Sequence, residues 1–312
     1  MENTTMARAQ AGLCAEGNLH SVYLMFNAFE GVESRLRPCL ASVARFIEEL
    51  SDQYCEPAFN GFVAIGANYW DSLYAGARPL GLKSFPNMKA EGREAPAYEY
   101  DVFVHIRSDR YDINHLVANQ IVTMMDGLME LVDEERGFRF LENRDLTGFV
   151  DGTENPQGSN RPKVAIVGSE DRQFQGGSYI HTQKFIHNLS SWNQLPVKQQ
   201  EDIIGRTKQD NVEYASADKP LTSHIKRVNL KDEDGQSMEI LRQSMPFGGV
   251  KSQGLFFISL CANSRNFEAM LESMMKGDGH GHYDHLMNFT QAVTGSSFFA
   301  PSMEFLEEFA DD

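Results

Sequence analysis

Residues 21–29, SVYLMFNAF, decide how the rest of the chain is read. Aromatic, β-branched and long apolar side chains dominate the run, which suits a buried, pleated strand. The next segment places apolar residues at Leu36, Leu40, Val43, Phe46, Ile47 and Leu50, the spacing of an amphipathic helix. Two further strand-forming runs follow, at 61–67 (GFVAIGA) and 100–107 (YDVFVHIR). A second helix is predicted over 113–131, with Asp112 as its N-cap. The first half therefore reads strand, helix, strand, strand, helix.

The same order returns loosely in the second half. Strands are predicted at 178–185 (SYIHTQKF), 239–243 and 254–261 (GLFFISLC), with helices over 196–205 and 266–275. No residue-level repeat links the halves, so element order alone argues for a duplicated α+β unit. Two ferredoxin-like halves, with antiparallel sheets and helices packed around them, fit this order. The polar, Gly-rich stretch 136–162 is the predicted boundary. It divides the chain into an N-terminal half over 1–147 and a C-terminal half over 148–312.

Composition narrows the function classes. In 312 residues, 28 Lys and Arg face 44 Asp and Glu, a formal charge of −16 that argues against nucleic-acid binding. The longest apolar stretches, such as 255–262, fall far short of the roughly 20 residues of a membrane span. The opening MENTTMARAQAGLCAEGNLH lacks the apolar centre of a secretory signal, so a cytoplasmic location is expected. Four cysteines (Cys14, Cys39, Cys55, Cys261) stand apart without CxxC pairs and read as reduced thiols. The short charge runs at 133–136 and 231–234, and the tail EFLEEFADD, read as solvated surface.

Three segments carry candidate chemistry. In 148–156, GFVDGTENP, two glycines bracket Asp151, and Glu154 and Asn155 follow. Glycine tolerates unusual backbone angles, so such a loop can bring N–H groups and a carboxylate close to a ligand. Segment 223–229, SHIKRVN, sets His224 beside Lys226 and Arg227. Segment 239–249, EILRQSMPFGG, places Arg242 in an otherwise apolar strand that ends at a Pro-Phe-Gly-Gly turn.

Together these segments resemble the class B dye-decolorising peroxidases, a group of bacterial haem peroxidases. The family's GxxDG signature stands as Gly148, Phe149, Val150, Asp151 and Gly152, extended by Thr153, Glu154, Asn155 and Pro156. Further matches are GRTK at 205–208, SHIKR, LRQSMPFG and the closing run DHLMNFTQAVTGSSFFAPS at 284–302. The resemblance implies one non-covalent haem b per chain, held in the C-terminal half; the absence of a CxxCH motif agrees with this. It implies His224 as the axial iron ligand, with Asp284 as the candidate carboxylate on its other nitrogen. It places Asp151 and Arg242 on the peroxide side, as proton shuttle and fixed cation, with Ser244 two residues beyond Arg242. Arg206 is the expected haem-propionate partner, and Thr153, Glu154 and Asn155 the expected loop contacts. Phe256 and Phe257 alternate across a strand, and Phe257 is expected to face the haem.

The activity so implied is reduction of hydrogen peroxide through a ferryl intermediate. Electrons would come from phenolic, dye-like or other bulky donors, small or surface-bound. A homo-oligomer is expected. The chain stops about ten residues after FFAPS, which argues against the C-terminal extension that sends some relatives into encapsulin shells. Two rival readings remain open. A haem carrier or iron-releasing protein would use the same His224. His280, His282 and His285, in GDGHGHYDHL, would instead suit zinc or nickel in a metal-binding protein.

Overall fold

The computed structural model describes residues 7–311; residues 1–6 of the N-terminal arm and Asp312 of the acidic tail lie outside the described residues. The run 21–29 lies in strand β1 (His20–Ala28), which joins β2 (Asn60–Gly66), β3 (Val102–Ser108) and β4 (Met129–Phe138) in the N-terminal sheet. Their order is β2-β3-β1-β4, antiparallel throughout. The C-terminal half supplies β5 (Ser178–His187), β6 (Met245–Gly248), β7 (Gln253–Cys261) and β8 (Thr290–Ala300). These stand as β8-β5-β7-β6, the same order of first, second, third and fourth strands. Each half is thus strand, helix, strand, strand, helix, strand, which is the ferredoxin-like pattern.

The two sheets close into one ring of eight strands. β8 meets β2 through Phe298–Gly66 and Phe299–Ile65, and β4 meets β6 through Gly137–Phe247. Inward-facing aromatic residues, Tyr23, Phe62, Phe103, Phe256 and Phe298, fill the ring. Tyr23 stacks on Phe256 with ring centres 3.9 Å apart, so residues from both halves share one core.

On the outer face of the N-terminal sheet, α1 (Glu33–Gln53) and α2 (Tyr111–Met124) lie flush. Leu36, Leu40, Val43, Ile47 and Leu50 of α1 are buried there at helical spacing. Each contributes about 1.5–3 kcal/mol by leaving water. Of the helices in the C-terminal half, three bear on the site: α3 (Val197–Ile204), α4 (His224–Val228) and α5 (Arg265–Lys276). No helix among the described residues is long and apolar enough to cross a membrane.

Several elements depart from the sequence reading; one is β6, where 246–248 pair with β7 instead of forming the expected turn. The helix predicted over 113–131 stops at Met124, and 129–131 belong to β4, where pairing with β1 overrides local helix preference. Asp112 does not cap the helix. Arg110 occupies the cap position in extended backbone, and Asp112 sits in the first turn, where a carboxylate suits the helix dipole. The charge run 133–136 is part of β4: Glu134 faces solvent, while Glu135 pairs with Lys184 at 2.7 Å. β8 also escaped the reading, because its small and polar residues dilute the strand signal. The strand predicted at 239–243 is only Leu241–Arg242, paired with β7.

Two measurements follow from this packing. A Cβ on Gly137, at the β4–β6 seam, would lie 2.4 Å from Ser21 Oγ and 2.8 Å from Met245 Cβ. Gly137→Ala should cost about 1–3 kcal/mol in urea denaturation, whereas Gly249→Ala, which meets nothing within 4 Å, should change little. Burial also holds His105 well below the ordinary imidazole range and brings His181 down to about 3. Unfolded imidazoles take up protons near 6.5, so acid favours the unfolded chain from about pH 6.5 downward. Each such histidine removes about 1.4 kcal/mol per pH unit over that window. His181→Phe should therefore lose less stability than the parent between about pH 7 and pH 4.5. Equal losses would rule His181 out as a source of acid sensitivity.

Candidate functional site

On the outer face of the C-terminal sheet, α4 and α5 stand off and leave a cavity of about 410 Å³. Gln183, Phe185 and His187 line it from alternate positions of β5, and Leu255 and Phe257 from β7. Phe267, Met270, Leu271 and Met274 complete it from one stripe of α5, at the 3–4 spacing that sets side chains on one helix face. The slot is mostly apolar, and its few charged groups are therefore conspicuous.

The loop 148–156 enters this cavity with two left-handed glycines, Gly148 at φ +88° and Gly152 at φ +79°. Any side chain at Gly148 would also strike Lys208, whose Cε lies 2.6 Å from the Cβ position. Arg144 braces the loop by donating to the carbonyls of Gly148 and Lys208 at 2.7 and 2.8 Å. Asp151 is held by its own N–H, which donates to the Asn143 carbonyl at 2.8 Å. Its carboxylate and the Arg242 guanidinium both line the cavity. No hydrogen bond from that guanidinium is found among the described residues.

Asn155 stands elsewhere than the sequence suggests. Its side chain accepts from the Arg242 N–H and donates to the Arg242 carbonyl, both at 2.8 Å, and does not line the larger cavity. It ties the Asp151 loop to the strand that carries Arg242. Ser244 is likewise outside that cavity: its hydroxyl accepts from the Ile258 N–H at 3.1 Å, holding the chain against β7. Both border a second cavity, of about 250 Å³, which meets the first at Asp151, Gly152 and Arg242.

His224 opens helix α4 and lines the larger cavity but not the second one. Its Nδ1 lies 2.6 Å from Oδ2 of Asp284, a fully buried carboxylate. The other Asp284 oxygen accepts from the Leu286 N–H at 2.9 Å, capping a short 3₁₀ turn. Both carboxylate oxygens are thus engaged, which fixes the imidazole ring and leaves its Nε2 available to a metal. Arg206 follows the left-handed Gly205 (φ +97°) that ends α3. It is buried; Nη2 donates to the Asn211 carbonyl at 3.2 Å, and Nε has no partner among the described residues. Glu154 approaches Arg206 at 3.8 Å from the exposed rim, where Thr153 accepts from Asn211. Phe257 lines the cavity, and Phe256 points into the ring.

Several polar groups on the wall escaped the sequence reading, Asp145, Gln183 and His187 among them. His187 makes contacts of 3.1 Å to Asp145 and 2.7 Å to Thr290. Burial pushes the Asp145 carboxyl up, but hydrogen bonds from His187 and Thr147 win and hold it below the ordinary range. The available signal was the period of two that puts His187 on the same face as Phe185. The histidine cluster in GDGHGHYDHL does not assemble. His282 turns to Asp278 at 2.7 Å and His285 packs on Tyr283, because Gly279 and Gly281 bend the loop. Among the described residues, no group of three or more His, Cys, Asp or Glu is placed to hold a metal ion.

A free imidazole nitrogen, a buried guanidinium whose Nε has no partner among the described residues and an apolar slot suit a cofactor that carries both a metal and an anionic group. Comparison with known proteins points the same way. Residues 59–139 match the family model for the N-terminal part of Dyp-type peroxidases, and residues 142–305 the model for the C-terminal part. A dye-decolorizing peroxidase of Mycobacterium tuberculosis is 37% identical over 289 residues, 92% of this chain and 86% of that one. The crystal structure of a putative Dyp-type peroxidase from Shewanella oneidensis superposes with a TM-score of 0.96 at 69% identity, covering 97% of this chain and 99% of that chain. A variant of DypB from Rhodococcus jostii RHA1, in complex with heme, gives a TM-score of 0.92 at 33% identity over 98% of this chain and 100% of that one. With the two family models matched in succession over 59–139 and 142–305, on a fold of two ferredoxin-like halves, the chain belongs to the Dyp-type peroxidase family.

Proposed function

We propose that the larger cavity takes one non-covalent haem b and that the chain reduces hydrogen peroxide at the expense of bulky one-electron donors, phenolic or dye-like. The observation that carries this reading is the convergence of His224, Asp151, Arg242 and the unpartnered Arg206 Nε on one apolar cavity. Haem needs an axial base, an apolar slot and a cation for its propionates, and the donor set fits all three. When bound, it would supply the iron at which peroxide is activated.

The chain's own residues then divide the work. His224 would hold the iron through Nε2, while Asp284 accepts from Nδ1 and increases the electron density of the ring. Arg206 would meet a propionate in a charge-assisted pair, and Phe257 would pack against the ring system. Asp151 would take a proton from one peroxide oxygen and return it to the other. Arg242, whose guanidinium has no hydrogen-bond partner among the described residues, would steady the negative charge that develops as the oxygens separate. Asn155 acts through Arg242, since its amide keeps that strand in register with the Asp151 loop. A haem carrier would make no use of an unpaired guanidinium beside a carboxylate, which favours the peroxidase reading. Electrons from bulky donors would enter at the haem edge or the protein surface, without the donor reaching Asp151.

Two experiments test these roles. His224→Ala should lose most of its haem, measured as Soret absorbance per protein, and Asp284→Asn should bind haem about 10–100-fold more weakly. Full retention with a native spectrum in His224→Ala would remove it as the axial ligand. Adding hydrogen peroxide to the haem-loaded parent should change the Soret band rapidly. Asp151→Asn should slow that change by about 10²–10⁴-fold, and Arg242→Leu should slow it with haem content intact. An unresponsive Soret band in the parent would leave the haem-carrier reading in its place.

A further inference from the structure

The second cavity, of about 250 Å³, has a composition opposed to that of the whole chain. In a protein of formal charge −16, five arginines line it against two carboxylates, Glu16 and Asp151. Two of those arginines, Arg107 and Arg161, are 2% and 5% exposed. Arg107 donates to the carbonyls of Ala15 and Glu16 and to Asn60 Oδ1, at 3.1, 3.2 and 3.4 Å. Arg161 donates to the carbonyls of Cys14, Pro156 and Ala15. These partners satisfy donors but cancel no charge. Among the described residues, the one carboxylate within ion-pair reach of Arg107 or Arg161 is Glu16, 3.5 Å from Arg161, and its side chain is 68% exposed. A pair with an exposed carboxylate contributes little, whereas a buried charge is costly unless it is paired.

Unused binding capacity is also present. The buried Nε of Arg107 has no hydrogen-bond partner among the described residues. Arg242 contributes a guanidinium without a hydrogen-bond partner at the junction with the larger cavity. Burial, with Arg161 nearby, brings Arg107 down to about 10, so it still carries its charge at neutral pH. Planar forked donors match the two oxygens of a carboxylate better than a spherical ion.

We propose that this second cavity is a binding site for a small carboxylate anion, held by Arg107 and Arg242 beside the Asp151 loop. The anion would supply the negative charge that the buried guanidiniums lack. Because the two cavities share Asp151 and Arg242, an occupied site would put a second negative charge next to Asp151 and engage the cation needed there. Small carboxylates would therefore slow the reaction with peroxide; that consequence rests on the proposed peroxidase role, and the binding itself does not.

The test is calorimetric titration of the full haem-loaded chain with acetate, using acetamide as the uncharged isostere and chloride as the spherical anion, with the Soret band followed in parallel. Saturable acetate binding at one site per chain is expected, and it should persist in the haem-free chain, since Arg107 and Arg242 and not the iron hold the anion. Acetamide should not bind, and chloride should bind at least tenfold more weakly. Arg107→Gln should weaken acetate at least tenfold; where that variant fails to fold, Arg242→Gln, which strands no buried partner, should do the same. Equal binding of acetamide or chloride, loss of acetate binding in the haem-free chain, or unchanged affinity in the folded variant would each overturn the proposal. A chain that takes up no haem would refute the proposed function instead, and the same titration of the haem-free chain would still decide the anion site.

Discussion

Everything in this molecule hangs on the closure of the eight-stranded ring. Neither four-stranded sheet is complete alone, because the edges of β2 and β4 would expose backbone donors and acceptors. β8 and β6 satisfy those edges, and the aromatic side chains of both halves then fill a common interior. Once the ring is fixed, the outer faces of β5 and β7 have fixed positions too. The cavity wall is therefore as rigid as the barrel, which is what a site built to orient a few groups needs.

The two halves have one topology and opposite uses for it. In the N-terminal half, α1 is 21 residues long and packs an unbroken apolar stripe onto the sheet. In the C-terminal half, α3 and α4 have eight and five residues, too short to seal the corresponding face. The intervening loops carry the charged residues instead, and α5 alone supplies a wall. A binding cavity here is what remains when a ferredoxin-like half is deprived of one long covering helix.

The legibility of these features in the sequence followed physical locality. Central strands with dense apolar runs, such as 21–29 and 254–261, declared themselves because burial on both faces demands such residues. β4 and β8 did not, since their identity comes from partners more than a hundred residues away. Asp151, His224, Arg242 and Arg206 were named from motif segments, and the fold gathers them around one cavity. The contact between His224 and Asp284 spans sixty positions and was only nominated. Asn155 and Ser244 border the second cavity and not the larger one, a distinction that a motif does not carry because it records adjacency in the chain, not the direction of a side chain. The second cavity had no sequence signal at all: its arginines come from strands, loops and a short helix scattered between 107 and 242.

The order of these parts along the chain has a consequence for biogenesis. Asp284, which fixes the imidazole, and β8, which seals the ring, are synthesised after every other element of the site. At about 5–20 residues per second, the nascent chain needs roughly 6–25 s to extend from the start of β5 to the end of β8, and for that time its apolar slot is unsupported. Throughout that interval neither the closed ring nor the oriented histidine exists. A growing polypeptide thus cannot hold a fully formed pocket, and the timing of translation itself guards against premature loading.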